Sequence, residues 1–176
     1  MNFLAHKKIV IISMLLTLML FAVVMFVVNP LIDGKEGFDV IALQLAFSKE
    51  AGEKIIASWD VTAFYKWIVF DYLYAFAYGL FFASLISWLE KEKGVTYSIF
   101  PYIAVAAALL DWMENSLELW FLHDPAAFPS TLFFLHSCLA ALKWLALPVV
   151  LGRIVQLLRV EKKGMTICHI LMLVFV

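Results

Sequence analysis

The sequence predicts an all-α protein: a transmembrane four-helix bundle with an amphipathic outer segment between spans 1 and 2. Three observations carry this reading. Of the 176 residues, 65% are hydrophobic and 15% charged, with a mean hydropathy of +0.95, against about 45–50% and about 25% in a soluble domain. Four apolar stretches are long enough to cross about 30 Å of hydrocarbon, which takes roughly 20 residues rising about 1.5 Å each. Lysine and arginine gather on one side of those stretches. A chain of this size has too little interior to hide so much apolar surface from water, so lipid is the expected solvent for most of it.

The expected spans are 9–28, 67–89, 99–121 and 131–154 of a single membrane domain covering 1–176. Lys7 and Lys8 before the first span resemble the start of a signal peptide, but the apolar run is too long for a cleavable core of about 7–15 residues. It ends in Val27-Val28-Asn29-Pro30, without a small-residue cleavage site, so a retained span is expected. Asn29-Pro30 and Asp33-Gly34 mark turns after the first span, ahead of the outer amphipathic segment 38–59. Ser48 reads as a helix N-cap with Glu50 in the first turn, and Ala51, Ile55, Ile56 and Trp59 follow at helical spacing. Such a helix can rest on the membrane surface or act as a lid. The apolar tail 165–176 is too short to span; it is interfacial, packed against the bundle, or cut off from something longer. Trp59, Trp67, Trp88, Tyr97 and Trp120 fall near span ends, where interfacial anchors sit. Pro148 is expected to kink the inner end of the fourth span.

Cytoplasmic loops collect basic residues. Lys7, Lys8, Lys91, Lys93, Arg153, Arg159, Lys162 and Lys163 fall on one side of the spans, whereas Lys35, Lys49, Lys54 and Lys66 are spread along the long loop opposite. Both termini are therefore expected in the cytoplasm. The net charge of −1 and the absence of an arginine-rich stripe give no footprint for nucleic acid. Cys138 and Cys168 lie in separate apolar stretches without metal-binding spacing, and buried free thiols are expected rather than a disulfide.

The third stretch carries the sharpest signal. Asp111, Glu114, Asn115 and Glu118 stand at i, i+3, i+4 and i+7, on one helical face that Ala104, Ala107 and Ala108 extend as a stripe of small residues. Small residues let a second helix approach closely, so this face is expected to look inward. In the fourth stretch His136, Ala140 and Lys143 repeat the spacing, and the second adds Asp71 with Tyr74 and Tyr78. Counting along each span from its centre puts Asp111 and Lys143 near mid-membrane, Asp71, Glu114 and His136 in the outer half, and Glu118 near the outer boundary. One outward-opening polar cavity could hold all nine.

A charge at mid-membrane costs about 2.5–3.5 kcal/mol to insert and is by default a functional hypothesis. A buried Asp111–Lys143 pair that only fixes helix register is the structural alternative. Four carboxyls facing one lysine and one histidine exceed that pair: bound protons, water at Glu118 or a bound cation must offset the remainder. Glu114, Glu118 and His136 could supply a mixed oxygen–nitrogen metal set, although no HExxH or ExxH signature is present; no cofactor is otherwise indicated.

The segments DVIALQLAFSKEAGEKIIASW, FDYLYAFAYGL, LLDWMENSLEL and LKWLALP resemble a group of bacterial four-span membrane proteins that combine an acid-led second span, a D-x-x-E-N third span (Asp111, Glu114, Asn115) and a lysine in the fourth. The resemblance covers roughly residues 38–148 and implies a bacterial cytoplasmic membrane, but no activity. Three functions stay open. A binding or transport protein would take a proton-linked small cation or a polar-headed ligand; transport in a chain without inverted repeats would call for a homodimer or a membrane partner. An embedded enzyme acting on a lipid or isoprenoid would use Glu114 as proton donor, with Lys143 or Asp111 holding charge in the transition state. An accessory subunit would use the polar cluster only for packing.

The expected topology is testable by labelling intact cells that carry Ser48→Cys or Glu92→Cys with a membrane-impermeant thiol reagent. Position 48 should react and position 92 should not; the reverse pattern overturns the assignment.

Overall fold

In the computed structural model, residues 3–28, 40–95 and 98–159 are described. The turn signals between the first span and the outer segment, Tyr97, Cys168 and the apolar tail 165–176 lie outside them. Among the described residues six helices follow one another. α1 (Lys7–Val23) runs on into a π-helical turn, Val24–Val28. α2 (Val40–Gln44) and α3 (Lys49–Ile56) are short. α4 (Val61–Glu92), α5 (Phe100–His123) and α6 (Ser130–Arg159) are long.

Local chemistry sets the boundaries. The Ser48 hydroxyl accepts from the Ala51 N–H at 3.4 Å and donates to the Glu50 carboxylate at 2.6 Å, starting α3 where the sequence places it. That bond holds the Glu50 carboxyl below its ordinary range. Asp60 caps α4 by accepting from the Ala63 N–H at 3.1 Å. α4 therefore begins six residues before the expected span at 67: hydropathy marks the hydrocarbon crossing, whereas the cap marks the helix. α4 ends on Gly94 in the left-handed region (φ 63°), which lets the Gly94 and Val95 N–H groups return to the Lys91 and Glu90 carbonyls. α6 runs through Pro148 as one helix and ends five residues past the expected span.

The long helices alternate in direction. Ser13 of α1 meets Ser84 of α4 at 3.2 Å, and Phe21 lies against Tyr74 farther back along α4. α5 packs along its length against both α4 and α6, while α4 and α6 touch each other much less. Gly79 makes the α4–α5 approach possible, because a Cβ there would lie 2.6 Å from the Ala108 Cβ. The stripe of small residues on α5 is thus filled by a neighbouring helix: Ala104 and Ala107 are buried.

The apolar interior gathers at the two ends. Phe64, Phe121, Phe128 and Phe133 close the end that carries α3. Ala83, Ile86, Val150 and Ile154 fill the opposite end, where Arg153 reaches the Glu90 carboxylate at 2.8 Å and Lys93 donates to the Leu157 carbonyl. Between them the buried side chains include Asp111, Glu114, Asn115, Glu118, His136 and Lys143. The outer surface is the reverse: Phe26 is 78% and Leu145 68% exposed, with Ile12, Val69, Leu109 and Phe134 also facing out. A polar middle inside an apolar exterior is the distribution lipid imposes on its solutes. Three helical segments, Lys7–Phe26, Val61–Glu92 and Ser130–Arg159, are long and apolar enough to cross a membrane, with mean hydropathies of 2.9, 1.6 and 1.8. α5 is long enough, but Asp111, Glu114, Asn115 and Glu118 keep it out of that set.

Widening Gly79 should separate α4 from α5. Gly79→Val is expected to destabilise the chain by about 1–3 kcal/mol, and Ala108→Gly in the same chain should recover part of a milder Gly79→Ala loss. Thermal unfolding of the purified protein in detergent reads both; an unchanged Gly79→Val midpoint contradicts the close approach.

Candidate functional site

The site is built where α4, α5 and α6 meet at mid-length. Helical spacing sends Asp111, Glu114, Asn115 and Glu118 of α5 inward together, and all four are buried. Lys143 of α6 stands opposite Asp111. Its ammonium donates to Asp111 Oδ1 at 2.8 Å and to Glu114 Oε1 at 3.1 Å, with Glu114 Oε2 at 2.9 Å off the hydrogen-bond axis. One buried cation thus serves two carboxylates. The Tyr78 hydroxyl reaches Asp111 Oδ2 at 2.8 Å and also lies 3.3 Å from the Ala107 carbonyl. Both Asp111 oxygens are therefore engaged. Asp71, half-buried on α4, accepts from Asn115 Nδ2 at 2.8 Å, and Tyr74 stacks edge-on against Tyr78.

A half-open cavity of about 390 Å³ lies between α4 and α6. Asp71, Tyr74, Tyr78, Asp111 and Lys143 form its polar floor. Phe82, Leu147 and Leu151 extend it one way; Val40, Ile41 and Trp67 bound it the other way. At that end Trp144 donates its indole N–H to Gln44 Oε1 at 3.0 Å, tying α2 to α6. The α2–α3 turn is tied to α6 as well: Phe47, in the left-handed region, donates its N–H to Ser137 Oγ at 3.1 Å.

The structure divides the nine residues that the sequence groups together. Asp71, Tyr74, Tyr78, Asp111 and Lys143 face the cavity. Glu114, Asn115, Glu118 and His136 are not among its lining residues and lie in the packed interior. Glu118 corrects the expectation of a water-exposed mouth. It is 1% exposed, because the Phe121, Phe128 and Phe133 cluster closes the bundle one turn beyond it. Among the described residues, both Glu118 oxygens, both His136 ring nitrogens and Asn115 Oδ1 are buried without a hydrogen-bond partner. Donor atoms of Glu114, Glu118 and His136 lie within 4.8 Å of one another, the set that could hold a metal. Cys138 is a half-buried free thiol apart from this group.

Gln44 and Trp144 were not singled out by sequence reading. The signal was a lone amide in the apolar run from Val40 to Phe47, and Gln44 is buried. The Glu90–Arg153 pair was likewise missed, since only the fold brings residues 63 apart together.

No family model, curated protein or solved structure matches the chain. Its chemistry is read from this geometry alone.

Because Lys143 serves two acids, the single variants should differ. Lys143→Met strands Asp111 and Glu114 together and is expected to cost at least the roughly 3–5 kcal/mol of a broken buried pair. Asp111→Leu leaves the ammonium on Glu114 and should cost less, and the double variant should recover only part of the loss, since Glu114 stays unpaired. Unfolding midpoints of the three purified variants test this; Asp111→Leu proving as damaging as Lys143→Met contradicts the shared cation.

Proposed function

We propose that the chain is an integral membrane protein that crosses the bilayer four times, with both termini in the cytoplasm, and binds an amphipathic ligand in the groove between α4 and α6. The apolar character of three helices supports the membrane setting. In this reading α5 also crosses, as the third span, its carboxylates screened from lipid by α4 and α6. A bacterial cytoplasmic membrane is the setting suggested by the sequence resemblance.

One observation carries the ligand reading: a half-open cavity with apolar walls ends on Asp71, Asp111 and Lys143. Ligand pockets in general combine a mostly apolar lining with a few placed polar groups. Lys143 and Asp111 are already saturated by each other, by Glu114 and by Tyr78. Asp71, half-buried and held by one bond from Asn115, is the acceptor that remains accessible. The head group that suits it carries N–H or O–H donors, an ammonium included, and the tail lies along Phe82, Leu147 and Leu151.

Two alternatives fit less well. A scaffold needs its acids paired off and no cavity beside them. A lipid-modifying enzyme with Glu114 as proton donor needs that acid at the groove, and Glu114 lies behind Lys143, outside the cavity lining.

Native mass spectrometry of the full chain, released from its own membrane in mild detergent, tests the proposal. One retained amphipathic molecule per chain is expected. Leu147→Trp, which fills the groove, should lower that adduct about tenfold, the equivalent of roughly 1.4 kcal/mol. Leu145→Trp, on the exposed face, should leave it unchanged. An adduct that survives Leu147→Trp at the wild-type level rejects the groove as its site.

A further inference from the structure

Behind the groove, Glu114, Glu118 and His136 form a second constellation that the ligand reading does not use. We propose that these three residues bind a divalent first-row transition metal ion, of the manganese, iron or zinc kind, in the closed interior between α5 and α6.

Satisfaction of buried polar atoms is the first ground. Roughly 90% or more of buried polar groups in proteins have a partner, and an exception calls for an explanation such as a missing ion. Here Glu118 and His136 are 1% and 2% exposed, and among the described residues all four of their side-chain polar atoms have no hydrogen-bond partner. An isolated stray atom does not describe this. A whole carboxylate and a whole imidazole are left bare side by side, on facing helices.

Geometry is the second ground. Glu114 and Glu118 are one turn apart on α5, and His136 faces them from α6, with donor atoms within 4.8 Å of one another. A metal held at about 2.0–2.2 Å places tetrahedral donors about 3.4 Å apart, so side-chain rotations that shorten these separations by an ångström or so close the set. Glu114 suits a bridging role: Oε1 takes the hydrogen bond from Lys143, while Oε2, 2.9 Å from the same ammonium, accepts none among the described residues.

Charge balance is the third. Lys143, shared between Asp111 and Glu114, offsets one of their two charges. The other and Glu118 leave two negative charges in the interior, which one divalent ion cancels. Asp71 is left facing the groove, where it can meet a cationic head group.

The donor types select the metal. An imidazole and two carboxylates suit manganese, iron and zinc, and the absence of thiolate argues against copper(I). Two carboxylates are too few oxygens for calcium, which takes six to eight. Three protein donors leave a coordination position open.

The test uses the full chain, purified in mild detergent through a histidine-free tag from cells supplied with manganese, iron, cobalt, nickel, copper and zinc. Elemental mass spectrometry should give about one equivalent of a divalent first-row metal per chain. Leu147→Trp, which fills the groove at a residue outside the donor set, should keep it, so failure of the groove reading leaves this result standing. Glu118→Gln and His136→Gln should each lose metal by about tenfold or more. A wild-type chain with less than about a tenth of an equivalent overturns the site, as do variants at wild-type occupancy. Should neither variant give a monodisperse folded species, X-ray absorption of the wild-type metal decides. A shell of oxygens with one imidazole supports the site; sulfur ligation, or oxygens alone, rejects it.

Discussion

The hydrogen-bonded acids at mid-length are organised around one ammonium group. Lys143 lies near the midpoint of α6 and is 4% exposed, too far from either end of the helix to extend its charge into water as a terminal lysine does. It must find its counter-charge inside, and it finds Asp111 and Glu114 on the facing helix. Because those acids are three residues apart, they hold α6 at one rotation and one height against α5. Tyr78 then joins α4 to the same group through Asp111. A single buried cation so fixes three helices, and it also forms the partition between the groove and the closed interior behind it.

The two apolar ends make that arrangement possible. An ion pair in a low-dielectric interior is favourable only with good geometry and satisfied neighbours, and geometry at mid-helix depends on how closely the backbones approach. Gly79 against Ala108 brings α4 and α5 together beside the polar layer, while the aromatic cluster at one end and the aliphatic cluster at the other resist sliding. Further ties join α4 to its neighbours: Tyr72 to Ser116 at 2.8 Å on α5, beside the Asp71–Asn115 bond, and Glu90 to Arg153 on α6. The weak α4–α6 contact between those ties is where the cavity opens.

Much of this was legible in the sequence. Hydropathy marks the helices, and helical spacing marks the inward face of α5, because a period of 3.6 does not depend on what the helix packs against. Ser48 was readable as a cap for the same local reason. The partition of the site was not readable. Spacing says that Glu114 and Lys143 face inward, but only the relative rotation of α5 and α6 decides that Glu114 becomes a second partner of the lysine and withdraws from the cavity. Glu118 was placed at a wet mouth by counting rise along a span, a count that ignores the phenylalanines of α6 and of the preceding turn that cover it. Gln44 and Glu90 depend on contacts across 100 and 63 residues of chain, which no local pattern encodes.

Pro148 gives α6 a mechanical character of its own. Proline has no N–H, so the Trp144 carbonyl one turn earlier has no helical donor. The missing backbone bond falls immediately beside Lys143 and along the cavity wall formed by Trp144, Leu147 and Leu151. The helix is therefore most compliant next to the charge that organises the interior. Gln44 holds Trp144 on one side of the proline, and Glu90 holds Arg153 on the other. Flexing at this point would swing the half of α6 that ends at Arg159 relative to the half that carries Lys143.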